Sequence, residues 1–384
     1  MKGVLAVSRS IFTEEHELFR QSVRRFLARE VEPHYLEWEK NRTVPRAFWR
    51  GAAEAGLLCP AVPEAYGGAG GDYLFNAVVL EELVRIGATG LLGVSVHNDV
   101  VVPYFIRYGT EEQKRQWLPK MVSGEAIAAI GMTEPGAGSD VKGLRTTAKR
   151  AGSEYVIDGQ KTFITNGQVA DVIVLAAKTD PKAGAKGVSL FVVEADREGF
   201  RRGRKLDKVG QHASDTSELF FDSVRVPATN LLGEEGRGFA HLMENLPQER
   251  LAIAVIAAAH AEAALQWTID YVKQRRAFDQ TVFDFQNTRF KLAELKSEVT
   301  VGRVFIDTCL KAHAADDLDV PTAAMAKAWA TDMACRVIDD CLQFFGGNGY
   351  MREYPIARAW TDARVQRIYG GTNEIMKELV ARSL

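Results

Sequence analysis

QFFGGNGYMREYPIARAWTDARVQRIYGGTNEIMKEL, running from Gln343 to Leu379, is the stretch that decides how this chain is read. Two glycine-rich breaks, Gly346 to Gly349 and Gly370 to Gly371, separate segments of helical period, and each places permissive backbone near a helix terminus. The first unpaired amides of a helix point outward with partial positive charge. Thr372, opening the final helix, is therefore a candidate anion or nucleotide contact. A purely structural reading stands beside it, with Gly346 as the residue past one helix and Thr372 as the N-cap of the next.

Outward from that stretch, the 384 residues exceed one small core and suggest about two or three domains. Lys and Arg number 48 against 50 Asp and Glu, so the near-zero net charge gives no reason to expect a nucleic-acid or membrane partner. The longest apolar run, Leu251 to Ala259, stops at His260, short of the ~20 residues a spanning helix needs. Cys59, Cys309, Cys335 and Cys341 show no CxxC spacing, and the N-terminus lacks the apolar core of a signal peptide. A reducing cytoplasm is the expected compartment. The histidines are scattered without HxxxH or HExxH spacing, and neither a P-loop nor a strand followed by GxGxxG occurs, so metal, ATP and nicotinamide readings have no motif behind them.

The period of the apolar residues divides the chain in three. From Thr13 it is helical, with Phe19, Val23, Phe26 and Leu27 on one face. Pro45 opens a helix stopped at Gly56, Asp72 caps one ending at Gly87, and Thr110 with Gln113 forms a capping box for one closed by Gly124. Past Gly124 the period changes to that of strands. Tyr155 to Ile157 runs into Asp158-Gly159, a two-residue hairpin signal, and Asp171 to Ala177, Val188 to Val193 and Leu219 to Val226 read as further strands. Helical period returns near Gly236. Pro247 is expected to start a helix rather than interrupt one, which would put Glu249 in a first turn, and later helices are expected over Val282 to Ala314 and Pro321 to Phe345. The fold class is thus mostly α with a central β domain: helical over 1–125, β over 126–232 and a helical bundle over 233–384.

Read together, MTEPGAGSD (Met132 to Asp140), FITNG (Phe163 to Gly167), LPQERL (Leu246 to Leu251) and IYGGTNEIMKEL (Ile368 to Leu379) resemble the acyl-CoA dehydrogenase family of flavoproteins, in order and over nearly the whole chain. The last two are most similar to the long-chain subgroup. The resemblance implies the three-domain architecture and FAD-dependent conversion of an acyl-CoA to a trans-2-enoyl-CoA, in fatty acid β-oxidation. An α-proton leaves to a base while a β-hydride passes to the flavin. In most of the family the base is a glutamate directly after the tyrosine of the final motif. Here that position is Gly370, which has no side chain to accept a proton.

In the long-chain subgroup the base lies on an earlier helix, and LPQERL carries that role onto Glu249. An apolar pocket would raise a glutamate's pKa toward a useful range, whereas the bland alternative is a solvated first-turn glutamate attracted to a helix dipole. The resemblance leaves Gly370 its backbone N–H as a donor to the thioester carbonyl oxygen. It also places Arg250 near the CoA moiety and Tyr369 along the substrate site.

For the flavin, the resemblance carries over Met132, Thr133, Gly138 and Ser139, with Ser139 also reaching substrate, and Phe163 and Thr165 on the other side of the ring system. Phe163 replaces the more usual Trp. A second flavin set resembles the part given by a neighbouring subunit: Arg275, Phe278, Gln286, Gln343, Gly346 and Gly347. Thr372 and Glu374 lie near the adenosine half. Asp279 stands where the family usually has Gly. The resemblance further implies a homotetramer built as a dimer of dimers, and electron-transfer flavoprotein as the acceptor. The basic run Arg201, Arg202, Arg204 and Lys205 reads as a solvated charged strand, with CoA phosphates as the alternative. An oxidase or monooxygenase on the same scaffold, and an acyl-CoA-binding protein that has lost its base, are the rival readings.

Overall fold

The computed structural model describes residues 8–384; the reading of the extreme N-terminus falls partly on residues 1–7, outside the described residues. The first helices are α1 (Glu14–Glu30), α2 (Tyr35–Asn41), α3 (Arg46–Glu54) and α4 (Tyr73–Arg85). Then come α5 (Gly93–Ser95), a π-helical turn (Val96–Val101), α6 (Val102–Tyr108) and α7 (Glu111–Val122). The caps read from sequence are made: the Asp72 side chain accepts from Leu74 N at 2.8 Å, and Thr110 and Gln113 bond reciprocally at 3.0 and 3.2 Å.

The strands are β1 (Ala128–Gly131), β2 (Thr147–Ala151), β3 (Glu154–Thr165), β4 (Val172–Lys178), β5 (Val188–Glu194), β6 (Phe200–Lys205), β7 (Thr216–Pro227) and β8 (Leu231–Leu232). They form one mixed sheet in the order β6-β7-β3-β2-β4-β5-β8, with β1 parallel to β4. β4 is buried on both faces. Val172, Val174 and Ala176 join the core built with the N-terminal helices, while Ile173, Leu175 and Ala177 join the core on the other side.

Asp158-Gly159 is not a hairpin. β3 runs straight through it with a bulge, and the β2–β3 turn falls at Gly152-Ser153, where Gly152 has φ +66°. Gly159 answers a close approach instead: a Cβ there would lie 2.7 Å from the Thr146 Cα. Asp158 accepts from Ser223 N at 2.8 Å across the bulge.

The C-terminal part comprises α8 (Gly238–Gln274), the two-residue strands β9 (Arg276–Ala277) and β10 (Gln280–Thr281), and the helices α9 (Gln286–Ala314), α10 (Val320–Phe345), α11 (Pro355–Ala363) and α12 (Asn373–Ala381). Val282–Asp284, expected to open α9, is a separate 3₁₀ turn. Pro247 lies inside α8, so the expected helix start is corrected and Glu249 is a mid-helix residue. An interior proline costs roughly 3 kcal/mol. Tertiary packing offsets it. In the turn before the proline Arg107 donates to Glu244 O at 3.4 Å and Asn245 to His241 O at 3.1 Å. Beyond it, Leu251, Val255, Ala258, Ala261 and Leu265 are buried in a core shared with α4, α9 and α10.

His260, which ends the apolar run, is itself fully buried within the same helix. By length and composition α8 could cross a membrane, but 78% of its apolar window is buried inside the fold. α4 is also packed on two sides: Val78, Val79 and Leu83 face the N-terminal core, and Ala77, Leu80 and Val84 face the bundle.

Candidate active site

Glu249 projects from the middle of α8 and is 9% exposed, which removes the solvated first-turn reading. The Tyr104 hydroxyl, from α6, donates to its Oε1 at 3.0 Å. Burial pushes the carboxyl up to about 7, against the lowering effects of the Tyr104 donor and the Arg250 charge. Ile253 stands one turn further along the same face of α8, and a Cβ on Gly370 would fall 2.3 Å from its Cδ1. Gly370, at φ +66°, therefore lies against the face that carries Glu249. Two residues far apart in the chain converge.

Two buried cations hold the glycine loop. Arg250 Nε reaches Gly370 O at 3.5 Å, and Lys327 Nζ donates to Gly371 O at 2.8 Å and to Asn373 Oδ1 at 2.9 Å. Burial, then the Arg250 charge, brings Lys327 down to about 8. Asn373 in turn donates to Thr331 at 2.9 Å and Asp332 at 3.0 Å, tying the start of α12 to α10. Thr372 is the N-cap, accepting from Ile375 N at 3.4 Å, and Glu374 is exposed in the first turn. Tyr369 is half-buried just before the loop. Sequence reading missed Lys327, Asn373 and Tyr104. A lysine inside the apolar run AAMAKAWA was a signal for the first, and the other two had none.

The first flavin set comes together on the sheet. Thr162 N donates to Thr133 O at 2.9 Å and Lys161 Nζ to Met132 O at 3.1 Å, which sets Met132-Thr133 beside Phe163 and Thr165. Lys161 also pairs with the Glu134 carboxylate at 2.8 Å, and that carboxylate accepts from the Arg145 and Thr146 amides. Gly138 and Ser139 are exposed beyond this turn. Phe163 is 67% exposed at φ +59°, within a register shift of β3. An exposed aromatic in an unfavourable backbone region is strain of the kind that sites retain, and its free face suits the flat flavin ring. A Cβ added at Gly138 would meet nothing within 4 Å, which leaves backbone room for the ribityl and phosphate groups. The chain present fits the cofactor.

This set makes no direct hydrogen bond to Glu249 or Gly370 among the described residues. Between β6 and β7 the loop at 206–215 is tied to α11, where Gln211 N donates to Asp362 and Thr89 donates to the same carboxylate.

The second set gathers elsewhere, at the far end of the bundle. Arg275 caps α8, and Tyr271 one turn earlier stacks on Phe345 with centroids 4.2 Å apart. Asn348 donates to the Tyr271 hydroxyl at 3.0 Å, while Lys291 meets Asp340 at 3.0 Å, drawing the start of α9 with Gln286 toward the end of α10 with Gln343. Gly346 and Gly347 also have open space where a Cβ would sit.

Phe278 and Asp279 form the two-residue turn between β9 and β10 with φ +51° and +63°, as a type I′ turn requires. Asp279 thus takes up the left-handed backbone that a glycine adopts more easily, and Arg276 donates to its carbonyl at 2.8 Å. Phe278 is 88% exposed. From Glu249 to Gln274 the helix rises roughly 37 Å at 1.5 Å per residue, so Arg275 stands at the far end of α8 from Glu249. The basic run lies on β6, where Arg201 covers the Phe220 ring at 4.5 Å, Arg202 donates to Ala170 O at 2.8 Å and Arg204 meets Glu218 at 3.6 Å.

Comparison with known proteins covers nearly the whole chain. Family models described as the acyl-CoA dehydrogenase N-terminal, middle and C-terminal domains match residues 13–125, 129–224 and 236–384. The mitochondrial long-chain specific acyl-CoA dehydrogenase of Sus scrofa is 52% identical over 378 residues, which is 98% of this chain and 88% of that protein. An acyl-CoA dehydrogenase of Bacillus subtilis (strain 168) is 39% identical over 372 residues, 97% of this chain and 98% of that protein. The crystal structure of an acyl-CoA dehydrogenase from Geobacillus kaustophilus has a TM-score of 0.96 at 52% identity, covering 98% of this chain and 99% of that one.

Proposed function

Because this chain belongs to the acyl-CoA dehydrogenase family of FAD-dependent oxidoreductases, we propose that it converts a long-chain acyl-CoA to the trans-2-enoyl-CoA with Glu249 as the base. One observation carries the reading: a buried carboxylate, pushed up to about 7, shares a helix face with the residue that Gly370 touches. At that value it is poised to take a proton near neutral pH. Gly370 offers its backbone N–H to the thioester oxygen, and Arg250 and Lys327 hold the carbonyls of Gly370 and Gly371, so the donor is fixed before substrate arrives. FAD, when bound, supplies the acceptor for the β-hydride.

Met132, Thr133, Gly138, Ser139, Phe163 and Thr165 would hold the flavin half, with Thr372 and Glu374 near the adenosine half. Arg275, Phe278, Gln286, Gln343, Gly346 and Gly347 would reach the cofactor of a second copy. A homotetramer with electron-transfer flavoprotein as acceptor follows on this reading, in the reducing cytoplasm that four cysteines without disulfides suit. The long-chain preference is supported by the name of the Sus scrofa relative.

Anaerobic titration with acyl-CoAs of increasing chain length tests the activity. Flavin absorbance should bleach, most completely with long chains, and enoyl-CoA should form without O₂ when an artificial acceptor is present. A flavin that stays oxidised under every acyl-CoA would leave a binding protein, and turnover that needs O₂ would leave an oxidase.

The shared cofactor site has its own test. Arg275→Ala removes the cation placed to pair with a pyrophosphate, so FAD content and the larger oligomer should fall together on sizing columns. Full FAD occupancy in a monomer of the wild-type protein would overturn the split site.

A further inference from the structure

We infer that Tyr104 is a positioning residue for the base, its hydroxyl occupying Glu249 Oε1 so that Oε2 is the oxygen left to take the substrate proton. The inference rests on Glu249 being the base. The contact itself is geometric. Tyr104 is fully buried, its hydroxyl lies 3.0 Å from Oε1, and a phenol beside a carboxylate must be the donor. Burial first, and the Glu249 charge next, raise the Tyr104 pKa, which keeps the proton on the phenol and excludes Tyr104 as an alternative base.

The placement is built by two helices. On α6, Tyr104, Arg107 and Tyr108 share a face, and each meets a residue of α8: Glu249 at 3.0 Å, Asn245 at 2.9 Å and Glu244 at 2.6 Å. The π turn before α6 joins the same arrangement, since Gln248, next to Glu249, donates to Asp99 O at 2.8 Å. A π turn inserts a residue into the helical register and so re-aims the residues that follow it. The charged and titratable groups facing the Glu249 carboxyl are Tyr104 from α6 and Arg250 from α8. Both favour the ionised form, but only Tyr104 hydrogen-bonds an oxygen of it. A donor on one oxygen stabilises the carboxylate and limits its rotation, and removing the donor makes the base harder to ionise.

The test is the pH dependence of flavin reduction in the FAD-bound enzyme with a saturating acyl-CoA. Tyr104→Phe keeps the ring and removes the hydroxyl, so the acid limb should move up by about one pH unit. The rate at pH 7 should then fall several-fold and recover toward wild type in alkaline buffer, with acyl-CoA affinity unchanged. Fluorotyrosine at position 104, a stronger donor, should move the limb the other way. In the Glu249→Gln background Tyr104→Phe should add no further loss, because it acts through Glu249. A limb that stays in place in both variants overturns the inference, as does a rate lowered equally at every pH, which marks a structural role only. Wild-type flavin reduction in Glu249→Gln alone would remove the base and this inference together. Slow reduction in Glu249→Gln beside an unshifted limb in Tyr104→Phe would remove only the inference.

Discussion

Glu249→Gln is expected to bind FAD and acyl-CoA like the wild type while reducing its flavin at least ~10²-fold more slowly, the usual worth of a general base. The amide keeps the size of the side chain and an oxygen for the Tyr104 hydroxyl, so only basicity is lost. Wild-type flavin reduction should rise with pH through a limb near 7, where the buried carboxyl ionises, and the variant should lack that limb. The same substitution should raise stability in the apo-protein.

The sign follows from the direction of the shift. The folded carboxyl holds its proton up to about 7 against an ordinary 4.5, so the native state binds more protons than the unfolded chain between those values and stability falls as pH rises through them. The full cost, about 3 kcal/mol by that linkage, is present above pH 7 and absent below 4.5. Urea unfolding should therefore show Glu249→Gln more stable than wild type at pH 8 and level with it near pH 4.5. Near-normal flavin reduction in the variant would move the base elsewhere. Equal unfolding at both pH values would mean that the carboxylate is solvated.

Where local chemistry determines structure, the sequence was readable. Asp72 and Thr110 cap the helices they were read to cap, and the apolar runs at Asp171 to Ala177 and Val188 to Val193 are strands β4 and β5. Two of the misread points have non-local causes. Gly159 serves the approach of Thr146 rather than a turn, and Pro247 is carried inside α8 by burial of residues far beyond it. The site divides in the same way. Glu249 and Gly370 were legible as a motif and its vacancy. Tyr104 and Lys327 act across helix pairs, through contacts that no local spacing encodes. The left-handed backbone at Phe163 and Phe278 was equally hidden, because nothing in a phenylalanine announces a positive φ.

Returning a carboxylate to position 370 should rescue part of what Glu249→Gln loses, and the structure adds a condition to that rescue. Gly370 sits at φ +66°, where an L side chain costs about 1–2 kcal/mol, and its Cβ would lie 2.3 Å from Ile253 Cδ1. In the wild-type background Gly370→Glu should therefore retain FAD but lose activity. The new side chain crowds the α8 face, and a second carboxylate near Glu249 drives one of the two pKa values upward. In the Glu249→Gln background that repulsion is gone and only the steric conflict remains. Ile253→Ala relieves it, since the truncated side chain leaves space that the glutamate can fill. Flavin reduction should rank Glu249→Gln lowest, Glu249→Gln with Gly370→Glu above it, and the triple variant with Ile253→Ala higher again, at about tenfold over the single variant and still below wild type. Ile253→Ala added to Glu249→Gln alone should give no gain, because it restores no base. Unimpaired activity of Gly370→Glu in the wild-type background would place residue 370 away from the substrate, and a triple variant no faster than Glu249→Gln would show that a carboxylate at 370 cannot reach the α-proton in this fold.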